Sequence, residues 1–475
     1  MAKLTSNTLF YRLSGEESIT INTLTSAMDV IDNVTRIKME NMLNGTQEIG
    51  PEEDYDLYTQ LKQRGYLYEN EEEERLNVEK LKLINTHRTK QRANTTFTIC
   101  PTMGCNLRCT YCFESNSQHT NLNTLTDDQM EGLFGHISKV AVQFKELYDR
   151  TPEDKRASLK GLAPSINLFG GEPLLKTNYQ IVEKICEFAK SVSVPVKIIT
   201  NGTTIKHYEP LLMRYRDMLS IQITMDGDKE THDKRRIRAD GTGTFDEICN
   251  SIDKILDIGI YITLRINVDK ENLQDLAKLK QIIEDKKWGE DKNFFPYVSP
   301  VQDFSGASDT TLREHELLQF LIENRFYGCE GAFIKGIVAP VIGYLSAFFN
   351  PDHKVKPWKM DFCEATSGKN FCFSPDGKIS TCLTYVGKGN HTIGTFDKNG
   401  IIIDENAYQL WMGRNIFRIA KCRECKYALL CGGGCPVAAL EQNKNIDCVI
   451  CSDIEKTLEL YINIMKPQFL ASAIV

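Results

Sequence analysis

The sequence predicts an α/β fold: a partial (β/α)6 TIM-like barrel with a winged-helix-like N-terminal domain and a cysteine-rich C-terminal domain. Three observations lead there. Between residues 95 and 300, short β-branched runs alternate with helical stretches, the pattern of a parallel sheet with crossover helices. Ahead of them, residues 1–70 place short strands before helices. Behind them, nine of the chain's sixteen cysteines follow residue 360. A chain of 475 residues can bury several separate cores. The expected divisions are 1–70, a charged linker 71–94, the barrel 95–305, a helical bridge 306–360 and the cysteine-rich domain 361–475.

Taken in order, residues 9–13 and 18–21 read as strands joined by a turn at Gly15. Helices are expected near 24–32, 34–43 and 51–64, with Pro51 suited to a first helical turn, before a short strand at 65–68. Residues 70–94 are strongly charged and read as a linker helix with a solvated lead-in. Barrel strands are expected at 97–100, 165–169, 195–200, 220–225, 260–268 and 294–298. Thr126 and Gln129 form a capping box for a helix over 127–145. Further helices are expected near 176–192, 205–216, 244–257 and 272–286, and in the bridge near 310–328 and 333–349.

Charge and composition exclude several classes. A net charge of −7 argues against nucleic acid as the main partner. The longest apolar run, residues 336–349, is too short to span a bilayer, so no membrane role is expected. The N-terminus lacks a secretory apolar region, and a cytoplasmic location is expected. In a large chain of that kind, clustered cysteines point to metal ligation rather than disulfides.

Two motifs carry chemistry. Cys105-x3-Cys109-x2-Cys112 directly follows the first barrel strand. Thiolates are soft ligands that suit iron–sulfur clusters and zinc. Three of them cannot close a four-iron cube, so one iron is left for an exchangeable ligand. On spacing alone, a zinc knuckle completed by a distant histidine stays open. Gly170-Gly171-Glu172-Pro173 follows the second strand. Its paired glycines admit close backbone approach, and the proline fixes the turn. Both motifs fall at C-terminal strand ends, where such barrels gather their chemistry.

Together these motifs resemble the radical S-adenosylmethionine (SAM) superfamily, and Tyr111 matches its usual aromatic. The resemblance implies a [4Fe-4S] cluster on Cys105, Cys109 and Cys112 whose open iron binds the amino and carboxylate groups of SAM. Reductive cleavage of SAM then yields a 5′-deoxyadenosyl radical that abstracts a substrate hydrogen. Gly170, Gly171, Glu172 and Pro173 would present backbone acceptors to the SAM amino group. Asn201 ends the third strand. The segment from Asp226-Gly227 to His232-Asp233-x-x-Arg236 resembles that of peptide-modifying members, with Thr224 where relatives often carry serine. Thr224 and Arg236 are assigned to the SAM carboxylate and Asn267 to the ribose. His232 is expected to be a structural hydrogen-bonder.

The C-terminal series Cys363-x13-Gly377-x4-Cys382, Cys422-x2-Cys425-x5-Cys431-x3-Cys435, Cys448 and Cys451 resembles the SPASM extension of these enzymes. That extension holds two auxiliary clusters, making three [4Fe-4S] clusters in all. By resemblance to sulfatase-maturating members, Cys363, Cys372, Cys382 and Cys435 would hold the first. Cys422, Cys425, Cys431 and a final cysteine would hold the second, with Cys451 preferred and Cys448 the alternative. The implied function is maturation of a ribosomally made peptide. Its leader would add a strand to the N-terminal sheet, and a thioether or carbon–carbon cross-link would form in the core peptide. A flavodoxin or ferredoxin would supply electrons. The alternative is an anaerobic sulfatase-maturating enzyme that makes formylglycine. Those members generally begin close to their cysteine triplet, whereas 104 residues precede Cys105.

Overall fold

The computed structural model describes residues 2–91, 95–114, 123–350 and 358–472. Near the N-terminus, β1 (Lys3–Leu4) is followed by an antiparallel sheet of β2 (Thr8–Arg12), β3 (Glu17–Asn22) and β4 (Ala27–Asp32). Helices α1 (Asn33–Leu43) and α2 (Tyr55–Gln63) come next, each opened by an aspartate that accepts a backbone N–H: Asp32 from Thr35 and Asp54 from Leu57. β5 (Leu67–Tyr68) returns to pair with β1. Met39, Leu61 and Tyr66 fill the small core between them.

The helix expected near 24–32 is instead β4. Ser26 takes a φ of 61°, which turns the chain, and β-branched Val30 and Ile31 pair with Ile19 and Ser18 of β3. Local apolar spacing fitted either state, and cross-strand pairing decided it. Two helices, not three, therefore precede β5, so the helix count behind the winged-helix expectation is not met. The linker helix α3 (Glu71–Gln91) forms as expected; residues 92–94 of the expected linker lie outside the described residues.

The barrel elements alternate as the sequence predicts. They are β6 (Thr96–Ile99), α4 (Asp127–Arg150), β7 (Ser165–Leu168), α5 (Tyr179–Ser191), β8 (Val196–Thr200) and α6 (Ile205–Tyr215). β9 (Leu219–Thr224), α7 (Lys229–Arg235), α8 (Phe245–Ile258), β10 (Tyr261–Val268), α9 (Leu276–Asp285) and β11 (Phe294–Pro300) complete them. The six strands are parallel and lie side by side in chain order. The Thr126–Gln129 capping box opens α4. Strand alternation divides the side chains: Ile166, Leu168, Ile221, Ile223, Ile262, Leu264 and Ile266 are wholly buried on one face. The alternate positions carry Thr98, Asn167, Gln222 and Arg265, and this polar concave face keeps the interior from filling with apolar side chains.

Beyond β11, α10 (Glu314–Glu323) leads to β12 (Gly336–Ile337), a short seventh parallel strand, and to α11 (Pro340–Phe349). The cysteine-rich domain grows from the opposite edge. β13 (Asn370–Phe373) pairs in parallel with β6, then β14 (Lys378–Ser380), β15 (Gly394–Asp397) and β16 (Gly400–Ile403) add antiparallel strands. One eleven-stranded sheet thus runs from β12 to β16. Both extensions escape the sequence because β12 and β13 are too short to show a period. The chain ends with α12 (Glu405–Met412), α13 (Ala428–Cys431), α14 (Pro436–Asn443) and α15 (Ile454–Ser472). The N-terminal unit docks on this region: Thr23 Oγ1 donates to the Lys426 carbonyl at 2.8 Å, and Trp358 Nε1 donates to that of Leu24 at 3.1 Å. Among the described residues, no helix is long and apolar enough to cross a membrane.

α4 packs across β15 and β16, and Gly132 makes that contact possible. A Cβ there would stand 1.8 Å from the Asp397 carbonyl oxygen, so nothing larger than glycine fits. Gly132→Ala should destabilise the protein by about 1–3 kcal/mol, as overpacking against backbone does, and a lowered thermal unfolding midpoint checks it.

Candidate active site

The cysteine triplet lies in the loop that leaves β6. That loop is pinned on one side by Arg108 N–H donating to the Ile237 carbonyl at 2.7 Å and Thr110 N–H to that of Arg235 at 3.0 Å. On its other side stands the turn after β7. Gly171 N–H donates to the Thr102 carbonyl at 3.3 Å and Glu172 N–H to that of Gly104 at 2.9 Å. Gly170 has φ 114°, and a Cβ at Gly171 would fall 2.3 Å from the Gly104 oxygen. The two motifs therefore touch through backbone alone, which is why both glycines are needed.

Glu172 then ties this turn to the next strand. Its buried carboxylate accepts from Leu174 N–H at 2.8 Å, Thr200 Oγ1 at 2.7 Å and Asn201 N–H at 2.7 Å. Burial raises its pKa despite those donors. Asn201 continues the chain of contacts: its Nδ2 donates to Asn106 Oδ1 at 2.8 Å, inside the cysteine loop. Pro173 lies behind the turn, with its carbonyl accepting from Asn178 Nδ2 at 3.1 Å.

Tyr111 is the hub of the opposite wall. Its hydroxyl donates to Asp226 and accepts from Arg236 Nη1 at 2.7 Å and Asn267 Nδ2 at 3.1 Å. The Arg235 guanidinium lies 4.9 Å from its ring centroid. Arg236 and Asn267 thus meet on one phenol, while Arg236 Nε has no partner among the described residues. Thr224, at the end of β9, faces the same space. His232 holds Asp226 N–H on Nδ1 at 3.3 Å and meets Thr244 Oγ1 at 3.1 Å through Nε2.

These walls enclose one cavity of about 550 Å³. Cys105, Cys109 and Cys112 line it beside Tyr111, Gly170, Gly171, Glu172, Asn201, Thr224, Arg236 and Asn267. Cys363, Cys382 and Cys435 line its far side, and buried Cys372 lies close enough to Cys382 for their charges to interact. Cys422 is likewise surrounded by Cys431, Cys425 and Cys451. Cys448 is placed by its carbonyl, which accepts from Arg414 Nη2 at 3.2 Å. Gly432, Gly433 and Gly434 all have φ near 80°, and a Cβ at Gly434 would meet the Ile450 oxygen at 1.9 Å. Only glycine lets the chain wrap this closely between Cys431 and Cys435.

Burial pushes the thiols upward: Cys112 to about 12, Cys363 to about 12, Cys382 to about 11 and Cys422 to about 11. Thiols in this state are protonated at neutral pH unless a metal supplies compensating charge. Soft donors lining one cavity, the cradle at Gly170–Gly171 and an Arg236 N–H without a partner among the described residues fit a thiolate-held cluster and an anionic ligand beside it, although no three of these side chains stand close enough to hold a single metal ion.

The family profile of the Radical SAM superfamily matches residues 99–283. The chain carries a radical SAM domain. A cysteine-type anaerobic sulfatase-maturating enzyme of Clostridium novyi (strain NT) is 22% identical over 344 residues, 70% of this chain and 84% of its own length. The antilisterial bacteriocin subtilosin biosynthesis protein AlbA of Bacillus subtilis (strain 168) is 24% identical over 358 residues, 73% of this chain and 68% of its own. The crystal structure of Streptococcus suis SuiB bound to S-adenosylmethionine superposes with a TM-score of 0.54 at 15% identity, covering 95% of this chain and 99% of that one, a likeness of fold. The radical SAM domain makes the chain an enzyme.

Sequence reasoning missed several residues around this cavity. Arg265 lines it, donating to Asn267 Oδ1 at 2.7 Å and Ser299 Oγ at 2.9 Å, and so orients the Asn267 amide toward Tyr111. Its parity with Asn267 on β10 was the available signal. Gln222 and Glu114 also line the cavity, and burial lifts Glu114 to about 7.

Burial, with Arg236 and Arg235 nearby, holds the His232 imidazole well below its ordinary range. The unfolded ring gains a proton near pH 6.5, and the buried ring does not. His232 therefore contributes its full stability above pH 6.5 and loses about 1.4 kcal/mol per unit below it. Urea unfolding at pH 7 and 5.5 should show that acid loss shrinking by about 1.4 kcal/mol in His232→Gln.

Proposed function

We propose that this radical SAM enzyme matures a ribosomally made precursor peptide by forming a thioether or carbon–carbon cross-link. The observation that carries the reading is the N-terminal unit itself, placed ahead of the triplet and docked on the cysteine-rich domain. SuiB bound to its precursor peptide SuiA has this overall fold, covering 94% of this chain at a TM-score of 0.53, so the likeness extends into residues 1–70. Those residues serve as the leader-binding unit. Residues 71–94 are the linker, 95–305 the radical SAM barrel, 306–360 the bridge and 361–475 the SPASM domain.

In this reading Cys105, Cys109 and Cys112 hold the SAM-binding cluster. Cys363, Cys372, Cys382 and Cys435 hold one auxiliary cluster. Cys422, Cys425, Cys431 and Cys451 hold the other, Cys451 being favoured over Cys448 by its place beside Cys422. When bound, the open-iron cluster with SAM supplies the 5′-deoxyadenosyl radical. The chain's own residues bind and orient. Gly170 and Gly171 bring the β7 turn against the cysteine loop, with Glu172 and Pro173 fixing its shape. Arg236 and Thr224 face the SAM carboxylate, while Asn201, Asn267 and Tyr111 shape the remaining wall. A leader peptide, with flavodoxin or ferredoxin as electron donor, completes the cytoplasmic system. The sulfatase-maturating relative supports a second reading, formylglycine formation, which requires no leader site.

Converting Cys105, Cys109 and Cys112 to Ala should abolish SAM cleavage and reduce bound iron by about one third, from roughly twelve atoms. Iron analysis and 5′-deoxyadenosine assays check this; a variant that still cleaves SAM overturns the assignment. Val34 and Ile37 are 64% and 49% exposed on α1, the helix that continues from β4. The double variant Val34→Asp/Ile37→Asp should weaken leader binding at least tenfold, or about 1.4 kcal/mol, and leave SAM cleavage without substrate intact. Unchanged binding together with formylglycine formation on a sulfatase peptide would favour the second reading.

A further inference from the structure

Arg414, just after α12, is completely buried between the two C-terminal cysteine groups. Its Nε donates to the Ile446 carbonyl at 2.5 Å, and its Nη2 donates to those of Gly433 at 3.1 Å and Cys448 at 3.2 Å. These bonds fix the plane of the guanidinium. Nη1 is left buried with no partner among the described residues. A guanidinium N–H without an acceptor in the interior is costly, so such a position is stable only beside a strong acceptor or negative charge.

Gly433 neighbours both groups: a Cβ added there would stand 4.0 Å from Nη1 and 3.6 Å from Cys422 Sγ. The charge of Arg414 is felt by Cys435 and Cys363 of one group and by Cys422 of the other. Asp447, the carboxylate that also interacts with it, is engaged by Arg418 Nε at 2.7 Å. The cation therefore lies among thiols of both groups, with Asp447 the carboxylate near it and no ion pair of its own among the described residues.

We propose that Arg414 is the shared positive charge that sets the reduction potential of both auxiliary clusters. This rests on the reading that eight C-terminal cysteines hold two clusters. One-electron reduction adds one negative charge to a cluster, and a fixed cation in a low-dielectric interior stabilises that charge. Arg414 thereby raises both potentials and makes each auxiliary site a better electron acceptor after the substrate radical closes its bond. Arginine suits the position because its fork satisfies three carbonyls and still has a donor to spare. It is a positioning residue: it touches neither SAM nor peptide.

The test is a spectroscopic redox titration of the reconstituted full chain, with iron content measured alongside. Arg414→Gln and Arg414→Met remove the charge, and Arg414→Lys retains it. In the neutral variants the oxidised-to-reduced ratio of the auxiliary clusters at a fixed potential should rise at least tenfold, equivalent to 59 mV for a one-electron couple. The lysine variant should stay within threefold of wild type, and the SAM-binding cluster should be unmoved in all three. A neutral variant that keeps its clusters at wild-type potentials overturns the proposal. Loss of C-terminal iron in the neutral variants but not in Arg414→Lys supports it. Loss in all three makes Arg414 a packing residue and overturns it. Wild type that carries iron at the triplet and none at the C-terminal cysteines would instead overturn the auxiliary-cluster reading beneath it.

Discussion

A single buried carboxylate holds the mouth of the barrel together. Glu172 accepts three hydrogen bonds, two from the end of β8 and one from its own turn, while its amide reaches back to Gly104. Each such bond to a charged group contributes about 1.5–3 kcal/mol, and burial makes each unmade one costly. Burial still raises its pKa, so the carboxylate depends on having the β7 turn and the β8 end both in place, while its amide ties that turn to the β6 loop.

The same logic extends across the cavity. Tyr111 sits between two of the triplet cysteines, and its hydroxyl is gripped by groups from β10, the loop after β9 and the end of α7. Anchored at both ends, the loop presents three thiols to one space. The cysteine-rich domain is placed just as firmly, because β13 continues the barrel sheet beside β6 and Gly132 lets α4 lie across the following hairpin. Cys363, Cys382 and Cys435 thereby reach the cavity that the triplet opens into. The continuity of the sheet explains how two distant cysteine clusters in the sequence come to share one chamber.

Much of the placement was legible in advance because both motifs follow strand ends. Cys105, Cys109, Cys112 and the paired glycines do come together on one cavity, by a backbone approach that only glycine permits. The strand ends bearing Asn201, Thr224 and Asn267 followed from alternation. The failures have physical causes. Residues 24–32 spell a pattern compatible with helix or strand, and pairing with β3 chose the strand. Arg265 and Arg414 belong to no motif. Each gains its importance from what faces it, and a sequence does not show what faces a residue.

By itself, then, the sequence determined the parallel strand order, the helices between strands and the cysteine sets available for ligation, since these depend on local periodicity and ligand chemistry. Only the tertiary structure decided that Arg236 and Asn267 meet on Tyr111, and that Glu172 is consumed as a clamp. It also decided that a guanidinium lies between two groups of thiols. Those outcomes depend on contacts between residues far apart in the chain, and such contacts exist only once the backbone has closed around them.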